Sequence, residues 1–150
     1  MINSIKLVCN KCNDKQRIGW HEYFASMSLI ASSRSPCERL HVGCVLVKDN
    51  RVLSMGYNGF FSGAPHTSIV HDGHEIATIH AEQNAVSYAA KEGISLKGAI
   101  AYITHFPCVN CFKILISAGI EKVYYIDDYK NDPINNKLSK LSNVDIEKIC

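Results

Sequence analysis

The side chains best suited to chemistry in this chain lie in two short segments. A single residue separates His80 from Glu82, and Cys108 and Cys111 form a Cys-x-x-Cys pair. Two thiolates and one imidazole supply three ligands for Zn²⁺ and leave the fourth tetrahedral position open to water, which is typical of a catalytic rather than a structural zinc site. Zinc lowers the pKa of its bound water to about 7 in favourable sites. Glu82 would lie beside the metal without ligating it, and it would act as a general acid and base that transfers protons.

Two helices are predicted to position these side chains. Small and apolar residues follow a helical repeat over residues 81–91. Residues 108–118 form a second helical segment, with Pro107 suited to its first turn and Gly119 to the position just after its end. The second helix follows a strand predicted at 100–104. Both helix N-termini can therefore point to one edge of a sheet.

The rest of the chain alternates between the two kinds of element. The predicted elements are a helix at 20–31, a β-hairpin at 42–47 and 51–55, a strand at 122–126, and a helix with a short edge strand within 131–148. A loop of about twenty residues, up to Thr78, precedes the His80 segment, and loops of that length are usually functional. This order predicts a three-layer α/β/α domain, a mixed sheet of about five strands with helices on both faces. We expect a single domain over residues 19–150, after a polar N-terminal extension at 1–18.

Composition excludes several classes of protein. The chain has 150 residues, 47% hydrophobic and 20% charged, which is typical of one globular domain. The net charge of +2, without a basic block, argues against a nucleic-acid surface. No apolar run is long enough for a membrane span, and no secretory signal is expected. The odd number of cysteines, seven, argues against a disulfide framework and favours a cytoplasmic location.

The remaining cysteines leave alternatives open. Cys9 and Cys12 have metal-ligand spacing and could form a second, structural zinc site, or they could be free thiols. They could also join Cys108 and Cys111 in a closed four-cysteine site, although this would leave His80 unexplained. A third alternative makes Cys108 and Cys111 structural residues and His80 a helix cap.

The pattern His-x-Glu followed by Pro-Cys-x-x-Cys is the signature of zinc-dependent nucleobase deaminases, and the chain matches it at every specified position. Further motifs lie on both sides of this pattern. The strand at 42–47 and Gly-Tyr-Asn-Gly at 56–59 precede it, and Ala-Gly-Ile at 118–120 and Asp-x-Tyr at 127–129 come after it. From about residue 34 to 129, the chain resembles the deoxycytidylate (dCMP) deaminase branch of the cytidine deaminase superfamily.

The resemblance implies a role for individual residues. His80, Cys108 and Cys111 would hold zinc, while Glu82 would pass a proton from water to N3 of cytosine and help the amino group leave as ammonia. The reaction would convert dCMP to dUMP for thymidylate synthesis. The residues that would contact the substrate are Asn58 at the sugar, Tyr129 with Asp127 at the base and nucleotide pocket, and Arg34, Arg39 or His105 at the phosphate. Asn58 could instead belong only to a turn.

The resemblance also implies regulation and assembly. Activation by dCTP, with Mg²⁺ on the triphosphate, inhibition by dTTP and a homo-oligomer are expected. Many relatives place extra cysteines for a second zinc before the His-x-Glu motif. That stretch carries no cysteine here, but His66, His71, His74 and Glu75. Other cytosine nucleotides (dCTP, CMP or a modified dCMP), a base in tRNA or another polynucleotide, and a non-enzymatic zinc-binding module remain alternative functions.

Overall fold

The computed structural model describes residues 17–72 and 74–149. Cys9 and Cys12 lie outside the described residues. The helices are α1 (Trp20–Ser32), α2 (Ala81–Lys91), α3 (Val109–Ser117) and α4 (Ile134–Ser142). The strands are β1 (Gly43–Lys48), β2 (Arg51–Tyr57), β3 (Val70–His71), β4 (His74–Glu75), β5 (Ala99–His105), β6 (Ile120–Asp127) and β7 (Asp145–Lys148).

Five strands form one mixed sheet in the order β2-β1-β5-β6-β7. β1 is antiparallel to both β2 and β5, whereas β5, β6 and β7 are parallel. The start of β1 and the ends of β2, β5 and β6 therefore lie at the same edge of the sheet. The α/β prediction is confirmed, including the C-terminal helix and edge strand.

The two faces of the sheet have separate cores, because successive side chains of a strand point to opposite sides. Val45 and Val47 of β1 pack with Phe24 of α1 on one face. Cys44 and Leu46 pack on the other face, with alanines of α2 and with Phe112 and Leu115 of α3. These are the three predicted layers.

Two glycines allow the helices to lie directly on the sheet. A Cβ at Gly43 would overlap the Ser28 carbonyl oxygen of α1. A Cβ at Gly56 would lie 2.5 Å from the Ala81 carbonyl oxygen and 2.6 Å from the Ala85 nitrogen of α2. Any larger residue at either position would push a helix away from its strand.

The segment predicted as a long loop contains some regular structure. β3 and β4 form a small two-stranded sheet within it. Its ends are held together because Gly59 and Ile79 exchange backbone hydrogen bonds of 3.0 and 2.7 Å. The Glu75 carboxylate accepts hydrogen bonds from the Ile69 and Ala77 amides at 3.2 and 2.7 Å. Two-residue strands are too short to leave a repeat in the sequence.

The hairpin of β1 and β2 turns at Asp49 and Asn50, whose φ angles are 50° and 57°. Positive φ at both central residues is typical of a type I′ turn, which matches the twist of a hairpin. Within the described parts of the chain, no helix is long and apolar enough to span a membrane.

Candidate metal centre and active site

The sheet topology brings the two chemically active segments together. Three residues separate the end of β5 from the start of α3, and α2 lies against β2 with Gly56 beneath its first turn. His80 and Cys108 are the N-cap residues of α2 and α3. The His80 amide donates a hydrogen bond to the Gln83 side-chain oxygen at 3.1 Å, which fixes the start of α2. Both helix N-termini therefore open at the same edge of the sheet.

Three potential metal ligands converge at this edge. His80 Nδ1 lies 3.6 Å from Cys108 Sγ and 3.3 Å from Cys111 Sγ. One ligand atom from each residue lies within 4.8 Å of the other two, and the part of the chain that the structure describes contains no other such cluster. Soft thiolates combined with an imidazole suit zinc. The residues present therefore fit a three-ligand zinc site, as the spacing predicts.

The thiols are already polarised in this arrangement. A hydrogen bond from the Cys111 thiol lowers the pKa of Cys108 to about 4. The same hydrogen bond and burial raise the pKa of Cys111. The Cys111 backbone amide also donates to Cys108 Sγ at 3.4 Å. The arrangement therefore favours Cys108, rather than Cys111, as the thiolate of the pair.

Glu82 lies in the first turn of α2 and is only 4% exposed. Burial raises the pKa of its carboxyl group above the usual value. A carboxylate that is costly to keep charged is a better proton acceptor near neutral pH. Glu82 lies in the same cavity as His80 and Cys108, which is where a proton carrier beside the metal would be needed.

A cavity of about 770 Å³ opens onto this cluster. Of the six residues predicted at the substrate, Asn58, Arg39, His105 and Tyr129 line the cavity, together with Lys130. Asp127 does not line it. Arg34 is exposed just beyond α1 and does not line it. The cavity size suits a small ligand.

Asn58 has both ends of its amide engaged by the backbone. Its oxygen accepts a hydrogen bond from the Val42 amide at 2.7 Å, and its nitrogen donates to the Leu40 carbonyl at 2.8 Å. It therefore holds the segment before β1 against the end of β2. The predicted sugar contact stays a prediction.

Sequence reasoning missed Asn135, which is fully buried in the first turn of α4. Its Nδ2 donates a hydrogen bond of 2.8 Å to the Pro107 carbonyl oxygen, directly before Cys108. Its Oδ1 has no hydrogen-bond partner among the described residues. An asparagine in a weakly patterned tail gives no sequence signal of this contact.

Comparison with known proteins agrees with this geometry. Residues 18–127 match the family model of the cytidine and deoxycytidylate deaminase zinc-binding region. ComE operon protein 2 of Bacillus subtilis is 41% identical over 138 residues, which cover 89% of this chain and 73% of the relative. Deoxycytidylate deaminase of Mycobacterium phage D29 is 40% identical over 124 residues, which cover 73% of this chain and 95% of the relative.

A solved structure extends the similarity to the fold. The crystal structure of dCMP deaminase from the cyanophage S-TIM5, in complex with dCMP and dUMP, superposes with a TM-score of 0.77 at 34% identity. The match covers 85% of this chain and 95% of the cyanophage protein. The ligand cluster, the buried glutamate, the fold and the family match agree, and the chain belongs to the cytidine and deoxycytidylate deaminase family.

Proposed function

We propose that this protein is a zinc-dependent dCMP deaminase, which hydrolyses dCMP to dUMP and ammonia. The observation that carries the proposal is the convergence of His80, Cys108 and Cys111 in one cluster, at a cavity that the buried Glu82 also lines. The deoxycytidylate deaminases among its relatives support the choice of substrate.

Each residue of the cluster has a distinct role in this proposal. His80, Cys108 and Cys111 hold the zinc, which when bound supplies an activated water at neutral pH. Glu82 accepts the proton released as water attacks C4 of cytosine, delivers it to N3, and then assists the departure of ammonia. Burial raises the pKa of Glu82, which makes its carboxylate a better acceptor for that proton.

The cavity favours a free nucleotide as the substrate. Arg39, His105 and Lys130 line its wall and offer donors to a phosphate group. A polynucleotide would require a basic surface around the cavity, and the low net charge of +2 disfavours such a surface. Other cytosine nucleotides, namely dCTP, CMP and a modified dCMP, are the alternative substrates.

The finer expectations form part of the same proposal. Activation by dCTP with Mg²⁺, inhibition by dTTP, a homo-oligomer and a cytoplasmic location rest on the family resemblance and on the cysteine usage. Residues 19–150 are proposed as the single catalytic domain. The second, structural zinc at Cys9 and Cys12 rests on their spacing alone.

Turnover of dCMP by the zinc-loaded protein tests the proposal. Glu82→Gln removes the proton acceptor but none of the three ligands, so we expect dUMP formation to fall by roughly 10²- to 10⁴-fold while zinc remains bound. Glu92→Gln is a matched control, because Glu92 is an exposed carboxylate at the other end of α2. Ammonia release and base absorbance follow the reaction, and metal analysis gives the zinc content.

The same assay with dCTP, CMP, deoxycytidine and single-stranded DNA separates the alternatives. Conversion of dCMP alone, or far faster than the others, supports the proposal. Zinc-loaded wild-type protein that fails to convert dCMP, with and without dCTP and Mg²⁺, would overturn it. Full activity of Glu82→Gln would overturn the assigned proton carrier.

A further inference from the structure

A buried hydroxyl group lies between the sheet and one wall of the cavity. Thr104, near the end of β5, is 1% exposed. Its Oγ1 lies 3.1 Å from the Gly43 amide nitrogen and 2.9 Å from Nδ1 of the adjacent His105. The His105 ring lines the cavity.

These two contacts determine which ring nitrogen of His105 carries the proton. The Gly43 amide can only donate, so the Thr104 oxygen accepts from it. The hydroxyl then has one proton to donate. The only acceptor near it among the described residues is His105 Nδ1. If Nδ1 carried a proton, the buried hydroxyl proton would have no partner, which is costly. Nδ1 is therefore the acceptor, and the ring proton is on Nε2.

The surroundings of His105 favour the uncharged ring. Burial lowers the pKa of His105 below its usual value, against the opposing effect of the Asp127 carboxylate on the neighbouring strand. The Tyr129 ring packs edge-on against the imidazole, with centroids 6.1 Å apart at 83°. Nε2 has no hydrogen-bond partner within residues 17–72 and 74–149.

We propose that Thr104 is a positioning residue that fixes His105 as the Nε2–H tautomer, so that His105 offers an uncharged hydrogen-bond donor to an acceptor oxygen of the nucleotide. This inference rests on the proposed function for the identity of the ligand. The acceptor is either a phosphate oxygen or the carbonyl oxygen of the base, and the two differ in how binding responds to loss of the phosphate.

The tautomer itself is tested without any turnover. In protein labelled with ¹⁵N-histidine, proton–nitrogen correlation spectra distinguish a protonated Nε2 from a protonated Nδ1, and the His105→Gln spectrum identifies the His105 signals. We expect Nε2–H in the wild type and in Thr104→Ser, which keeps the hydroxyl. Thr104→Val removes the hydroxyl, so its spectrum should show the Nδ1–H form as well. Nδ1–H in the wild type, or an unchanged tautomer in Thr104→Val, would overturn the proposal.

The ligand contact is tested with two substitutions of His105, which remain informative if Thr104→Val does not fold. The amide nitrogen of glutamine lies near the position of Nε2, whereas that of asparagine lies near the position of Nδ1. We expect the dissociation constant for dUMP to rise about ten-fold in His105→Asn, and by clearly less in His105→Gln. Equal loss in both variants, or no loss in His105→Asn, would overturn the donor role.

Parallel titrations with deoxyuridine identify the acceptor. A loss in His105→Asn that is seen with dUMP but not with deoxyuridine assigns the donor to the phosphate. An equal loss with both ligands assigns it to the base. Failure of the wild type to deaminate dCMP would refute the proposed function, while the tautomer measurement would still decide the role of Thr104.

Discussion

At the scale of single residues, the ligand cluster divides into groups with different protonation. Cys108 is favoured as a thiolate and Cys111 is not, because one hydrogen bond lowers the pKa of the first and raises that of the second. Zinc binding would then release the proton of Cys111.

Cys108→Ala should therefore abolish stoichiometric zinc binding, because it removes the charged ligand and leaves two donors. The zinc content per chain, measured by metal analysis after gel filtration, is expected to fall by nearly one ion relative to the wild type. Cys44→Ala is the control, since Cys44 is buried in β1 and is not part of the cluster. Full zinc content in Cys108→Ala would contradict the ligand assignment.

The sequence predicted this cluster because its residues are local to two helix starts. The His-x-Glu spacing places His80 beside Glu82, and the Cys-x-x-Cys spacing places Cys108 beside Cys111. The contacts of Thr104 and Asn135 could not be predicted in this way. Thr104 contacts Gly43, and Asn135 contacts Pro107. These partners are distant in the sequence, and only the packing of the sheet and of the C-terminal tail brings them together.

At the scale of elements, α2 depends on one close approach to the sheet. Gly56 lies under its first turn, beside the carbonyl of Ala81 and the amide of Ala85. That turn carries Glu82 and follows directly on His80. The position of the site therefore depends on a residue that has no chemistry of its own.

Gly56→Ala should lower the free energy of unfolding by about 1–3 kcal/mol, because the added methyl group overlaps the helix backbone. Activity should fall with it, as α2 shifts. Urea unfolding measures the first effect. Gly19→Ala is the comparison, since a Cβ there meets nothing within 4 Å in the described structure, and only the weak N-cap preference is lost. Equal stability of the two variants would contradict the overlap.

α4 reaches the same site from the C-terminal side. Asn135→Ala removes the hydrogen bond to the Pro107 carbonyl and leaves that oxygen buried without a partner, a change that costs about 1–3 kcal/mol. We expect lower stability together with faster loss of zinc to a competing chelator. Asn136→Ala, at the exposed neighbouring position, should change neither. Zinc retention as strong as in the wild type would show that α4 does not support the metal loop.

At the scale of the whole molecule, the proposed zinc ties together two helices from separate parts of the chain. Metal that binds only the folded state stabilises it. Removing zinc with a chelator should therefore lower the Tm, and adding zinc back should restore it. The Tm of Cys108→Ala should respond to neither treatment. An unchanged Tm in zinc-free wild-type protein would contradict this coupling.

The layered fold could be predicted because its strands and helices are long enough to show their repeats. The same reasoning failed for β3 and β4, which are too short to show one. It also could not decide which basic residues reach the cavity. Arg39 and Arg34 both precede β1, but only Arg39 lines the cavity wall, because the chain turns between them.

The tip of the first hairpin is a suitable position for attaching a label to the protein. Asp49 and Asn50 are exposed, and they lie at the opposite end of β1 from Val42, which lines the cavity. β1 is six residues long, so at about 3.4 Å per residue the tip lies roughly 20 Å away. A fluorophore or a short peptide inserted there would report on the protein without disturbing substrate access, because exposed turn tips accept insertions readily.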